Sequence, residues 1–124
     1  MRCMLEKITK LNEVNMIIKF NEVEELELKN FKGGEKSLLA RIISDDNNKI
    51  MMSKLVPGAS IGEHIHDTNS EIIFILEGKG LIICDGQKEE VQAGDCHYCK
   101  KGSKHTFINN GSENIVFYAV VPQH

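Results

Sequence analysis

From Leu26 onward the chain is a succession of short apolar runs cut by turn signals. Glu25-Leu26-Glu27-Leu28-Lys29 alternates polar and apolar residues, the two-residue period of a strand with one buried face. Residues 37–44 and 49–56 are strand candidates joined by Asp45-Asp46-Asn47-Asn48, a hairpin signal, and Pro57-Gly58 breaks the second of them. Further runs follow at 72–76, 81–84, 89–91, 96–98, 105–109 and 114–121. The breaks between them are Glu77-Gly78-Lys79-Gly80, Asp85-Gly86, Ala93-Gly94-Asp95, Lys101-Gly102-Ser103 and Asn109-Asn110-Gly111. Many short strands with glycine-rich turns point to an all-β sandwich or barrel.

The polar residues inside this pattern carry the chemistry. His64 and His66 stand two apart in a strand-like stretch, which sends both imidazoles to one face. Glu71 lies past the turn-like Asp67-Thr68-Asn69-Ser70, and His105 arrives from a distant strand. Three neutral nitrogens and a carboxylate oxygen suit a divalent first-row transition metal, with iron, manganese, zinc, nickel, cobalt and copper all compatible. Unpaired burial of such groups would be costly, so a structural role alone is a poor explanation of them.

Residues 58–109 resemble the cupin family. The pattern G-x5-H-x-H-x4-E-x6-G is matched by Gly58, His64, His66, Glu71 and Gly78. The pattern G-x5-P-x-G-x2-H-x3-N is matched by Gly94, Gly102, His105 and Asn109, with Lys100 in place of the proline. The resemblance implies a double-stranded β-helix, a small jelly-roll barrel, with His64, His66, Glu71 and His105 holding one divalent metal per chain. It implies homodimers, for which Ile72, Phe74 and Leu76 offer an apolar outward face. It leaves the reaction open, because one fold hosts many chemistries. A metal-dependent dioxygenase, an isomerase or lyase, and a non-catalytic binding or sensing module all fit.

Parity extends the site. Ile73 and Ile75 share a face with Glu71, and Phe107 and Asn109 share one with His105, giving an apolar pocket beside the metal. Met51, with Ser53 and Leu55, supplies another wall, and Phe117 is a further candidate. Arg41 would clamp a substrate carboxylate if it faced inward; an outward, solubilising position is favoured, since long charged side chains are seldom buried alone. Glu63 is either a partner of the ligands or a solvated loop residue, and the solvated reading is preferred. His97 lies within the second pattern but is not one of its ligands.

A length of 124 residues implies one domain, taken as 16–124, with residues 1–15 an appendage that is either a short amphipathic helix or a loose arm. The net charge of −3 gives no electrostatic case for nucleic acid or an anionic membrane, and a small molecule is the expected partner. No apolar run approaches the roughly 20 residues of a membrane helix. The N-terminus meets charge too early for a signal peptide, so a cytoplasmic protein is expected. Cys3, Cys84, Cys96 and Cys99 are read as reduced thiols; Cys96 and Cys99, three apart on an extended strand, face opposite sides.

Overall fold

A computed structural model describes residues 8–10 and 17–124. The appendage expected at 1–15 lies outside the described residues except for 8–10, of which Thr9–Lys10 forms a two-residue strand, β1. Ten further strands follow: β2 (Leu26–Lys29), β3 (Ser37–Ser44), β4 (Asn48–Leu55), β5 (Ser60–Ile65), β6 (Glu71–Glu77), β7 (Lys79–Cys84), β8 (Gln87–Gln92), β9 (Cys96–Cys99), β10 (Lys104–Ile108) and β11 (Ile115–Pro122). Two single-turn 3-10 helices, Phe20–Glu22 and Phe31–Gly33, precede β2 and β3.

The strands make two sheets. One runs β1-β3-β4-β11-β6-β9, with β2 also pairing with β3; the other runs β5-β10-β7-β8. Among the described residues every strand pairing is antiparallel except β1 with β3. The chain folds as the expected double-stranded β-helix, a jelly roll. Alternation along each strand sends Leu38, Ala40 and Ile42, then Ile73 and Ile75, then Ile115, Phe117 and Ala119 into the space between the sheets. There they meet Ile61, Ile82 and Phe107 from the second sheet. The rings of Phe107 and Phe117 pack 5.3 Å apart.

The expected hairpin at 45–48 is present. Asp45 N–H donates to the Asn48 carbonyl at 3.0 Å, and Asp45 Oδ1 accepts from the N–H groups of Asn47 and Asn48. Two glycines shape the mouth of the barrel. A Cβ on Gly62 would lie 2.0 Å from the Lys32 carbonyl oxygen, and one on Gly34 would lie 2.0 Å from that of Ser60. Only glycine lets β5 lie so close to the Phe31–Gly33 turn, and that approach carries Phe31 and Lys32 over the cavity described below.

Arg41 takes the favoured outward position rather than the inward one that a ligand clamp would need. Its neighbours Ala40 and Ile42 point into the core, so parity turns Arg41 outward, away from any barrel ligand. It is not simply solvated either. Its Nη1 donates to the carbonyls of Val23 at 2.6 Å and Phe20 at 3.2 Å, pinning the first 3-10 turn to β3. No described helix is long and apolar enough to cross a membrane.

Candidate metal centre

His64, His66, Glu71 and His105 meet at one end of the barrel, brought there by three strands and the turn after β5. β5 and β10 are adjacent, and His64 stands directly opposite His105. The turn after β9 is stitched to the end of β5: Gly102 N–H donates to the His66 carbonyl at 2.6 Å, and His66 N–H to the Ser103 carbonyl at 2.9 Å. Lys100, in the proline's place, closes the same turn through its carbonyl, which accepts from Ser103 N–H at 2.9 Å. Glu71 opens β6 in the other sheet and faces its partners across the interior.

The donor atoms are close. His105 Nε2 lies 3.1 Å from both His64 Nε2 and His66 Nε2, and 3.0 Å from Glu71 Oε1, which is 3.2 Å from His66 Nε2. Donors bound at about 2.1 Å and at right angles around one first-row ion stand about 3 Å apart, so the spacing suits such an ion. The outer ring nitrogens are already engaged. His64 Nδ1 donates to the Gly62 carbonyl at 2.7 Å, and His66 Nδ1 to Asn69 Oδ1 at 2.5 Å. Those bonds place the proton of each neutral ring on Nδ1 and turn the Nε2 lone pair inward. Lone pairs and a carboxylate converging on one point repel unless a cation or extra protons occupy it.

The charge balance says the same. Burial alone would raise the Glu71 carboxyl, but hydrogen bonds from His105 and His66 outweigh it and hold the group at about 2. His66 is raised above its ordinary value, chiefly by its hydrogen bond to Glu71. His64 is lowered, chiefly by burial. Glu71 is thus ionised across the neutral range, and its charge favours a cation among the three rings.

The donors form the floor of a cavity of about 240 Å³. Met51, Ile73, Phe107 and Phe117 line it as parity suggests. Ile75 does not; it is 2 % exposed and lies deeper in the core, two residues further along β6 than the cavity reaches. Ser53 and Leu55 are likewise core residues outside the lining. Glu63 is exposed and faces Lys104 at 3.9 Å.

Several lining or supporting residues escape the sequence reading. Lys49 lines the cavity, its ammonium lowered by burial and by Lys32 nearby. It shares the parity of Met51 and Ser53, so continuing that wall by one step would have found it. Lys32 and Asn69 border the cavity from turns, where no period exists to read. His97 Nε2 sits 3.0 Å from His105 Nδ1, making it the orienting partner of that ligand. Burial, with the charge of His105 second, drops the His97 imidazole to about 4.

Known proteins place this geometry in context. The Cupin domain family matches residues 51–121. An oxalate-binding protein of Thermotoga maritima is 30 % identical over 112 residues, spanning 86 % of this chain and 93 % of its own. The crystal structure of a predicted oxalate decarboxylase from Thermotoga maritima superposes with a TM-score of 0.83 at 26 % identity, covering 88 % of this chain and 100 % of that one. A cupin 2 conserved barrel domain protein from Salinispora arenicola CNS-205 shares the fold, with a TM-score of 0.70 at 24 % identity over 90 % of this chain and 91 % of that one.

Proposed function

This chain belongs to the cupin domain family, and from that footing we propose that it is a metal-dependent binder of a small organic acid, with oxalate the leading ligand. The observation that carries this reading is the convergence of the Nε2 atoms of His64, His66 and His105 with Glu71 Oε1 on the floor of a cavity whose wall bears Lys49. These residues would hold one divalent transition metal per chain. When bound, the ion supplies Lewis acidity toward an oxygen donor of the guest.

The chain's own residues do the rest. Lys49 presents its ammonium to a carboxylate, in a half-buried setting where such a pairing is stronger than in open water. Ile73, Phe107 and Phe117 wall out water and bound the guest's size. At about 240 Å³ the cavity falls below the roughly 300–1,000 Å³ typical of drug-sized ligands, which favours a guest of few atoms. The name of the Thermotoga maritima relative supports oxalate in particular. Turnover of the bound acid is the second reading. Asp67 and Lys32, both bordering the cavity, are the residues placed to exchange protons with a guest.

Calorimetry with oxalate, malonate and succinate, on protein loaded with Mn²⁺ or Zn²⁺ and on chelator-treated protein, tests the proposal. Saturable oxalate binding only in the loaded form is expected, weakening through malonate to succinate. Lys49→Met should weaken oxalate binding by about 10- to 100-fold, the worth of one charged hydrogen bond. Binding that ignores the metal, or no binding of any of the three acids, would refute it. Formate or carbon dioxide release in the same samples reads turnover.

We also propose that two copies associate through the outer face of β6 and β9. Phe74 is 48 % exposed, Leu76 43 % and Tyr98 54 %, and Ile72 stands opposite Tyr98 on the same face. A patch of this kind on a small domain calls for cover. Light scattering is expected to give twice the 14.0 kDa chain mass, and Phe74→Glu to give the monomer. A wild-type monomer at about 50 μM would end this part of the reading.

A further inference from the structure

Behind His105, on the side of its other ring nitrogen, two cysteines that the proposed function leaves unused lie beside His97. Cys84 ends β7, Cys99 ends β9, and His97 stands two residues before Cys99. Their two sulfurs and one ring nitrogen lie within 4.8 Å of one another. Period two explains the grouping: His97 and Cys99 share a face of β9, while Cys96 takes the other face and is exposed. The strands belong to different sheets, so the cluster forms only in the folded barrel.

We propose that Cys84, His97 and Cys99 form a second cation site, suited to a thiophilic ion of the zinc or copper(I) type. Two sulfurs and an imidazole are the soft donor set that such ions prefer, unlike the nitrogen and oxygen set of the first centre. Three protein donors leave a fourth position for water or an external ligand. Access is open, because Cys84 and His97 border a surface groove edged by Asp85, Glu89, Glu90 and Asp95. Those carboxylates raise the local concentration of cations. Cys99 is fully buried, its sulfur 3.8 Å from the Ser103 carbonyl, so it is positioned by the fold rather than free to turn away.

His97 lies between the two groups, its Nε2 3.0 Å from His105 Nδ1. The second site stands on its own three donors and does not depend on the metal reading of the first centre.

Co²⁺ titration of the full chain under a phosphine reductant tests the site, with sulfur-to-cobalt charge-transfer absorption as the readout. The first centre has no sulfur and cannot produce that band. The wild type is expected to develop it to the amplitude of one sulfur-bound cobalt per chain, beyond any cobalt that the first centre takes up. His64→Ala/His66→Ala should keep the same amplitude. Cys84→Ser and Cys99→Ser should each abolish it, and Cys96→Ser should leave it unchanged. No sulfur band in the wild type overturns the proposal whatever the folding of the serine variants. So does a band that survives loss of Cys84 and Cys99, or one that depends on Cys96.

Discussion

Replacing His64 and His66 together by alanine is expected to strip the first centre of its metal while the barrel stays folded. The two rings supply half of the donor set, and the remaining Glu71 and His105 form no chelate strong enough to survive dialysis. Apparent affinity should fall by more than about 100-fold, since loss of even an outer hydrogen-bond partner costs about 10- to 100-fold. The measurement is metal content by mass spectrometry after dialysis against a weak chelator, with circular dichroism to confirm the fold. Acid should do reversibly what the double substitution does permanently. His66 has its pKa raised by Glu71, so protons compete with the metal there first, as pH falls through the region just above the ordinary histidine value. His64 is lowered by burial and yields at lower pH, while Glu71, held at about 2, stays ionised throughout. Metal content should therefore decline over a broad range, beginning above the ordinary histidine value of about 6.5 and continuing below it. A double variant that retains stoichiometric metal at this centre, or metal content flat across that range, would remove the basis of the proposed function.

How much of this was legible beforehand follows from which residues obey a period. The strands and the two-sheet fold could be read because alternation and turn chemistry are local. Leu38, Ala40 and Ile42 on one face against Arg41 on the other is the pattern a two-sided strand imposes. His64 and His66 could be paired because a spacing of two on an extended chain carries both to one face, and the resemblance joined Glu71 and His105 to them. What the sequence did not disclose is what lies across a sheet or around a turn. Arg41 meets the carbonyls of Phe20 and Val23, which no periodicity links to it. Ile75 has the correct parity for the cavity but too great a depth, and depth is set by how the opposite sheet packs. The pairing of Cys99 with Cys84, rather than with its near neighbour Cys96, likewise arises only from the closure of one sheet against the other.

Asn109→Ala is expected to cost more stability than any change at the metal centre, and to leave that centre's chemistry alone. Asn109 shares the face of His105 by parity, yet its side chain is used to close the fold. It is fully buried, and its Nδ2 donates to the carbonyls of Leu55 and Glu113, each at 2.8 Å. Its Oδ1 accepts from Gly111 N–H at 3.0 Å. One amide thus joins the end of β4, the turn after β10 and the approach to β11. The backbone of the same residue pairs on both sides with the loop before β5, through Gly58 and Ala59. Alanine would remove three buried hydrogen bonds at once, and a buried group left unsatisfied costs about 1–3 kcal/mol. Allowing for partial relaxation, the loss should be about 3–5 kcal/mol, a large share of the roughly 5–15 kcal/mol that holds a domain of this size. The midpoint of thermal unfolding should fall by about 10–20 °C. Asn109→Asp should not rescue it, because a carboxylate would replace the two donors with an acceptor facing two carbonyl oxygens. Below the lowered midpoint the variant should still bind metal at the wild-type stoichiometry, since Asn109 touches none of the four donors. A midpoint shift under about 3 °C would show that the amide is dispensable, and loss of metal in a still-folded variant would show that it belongs to the site after all.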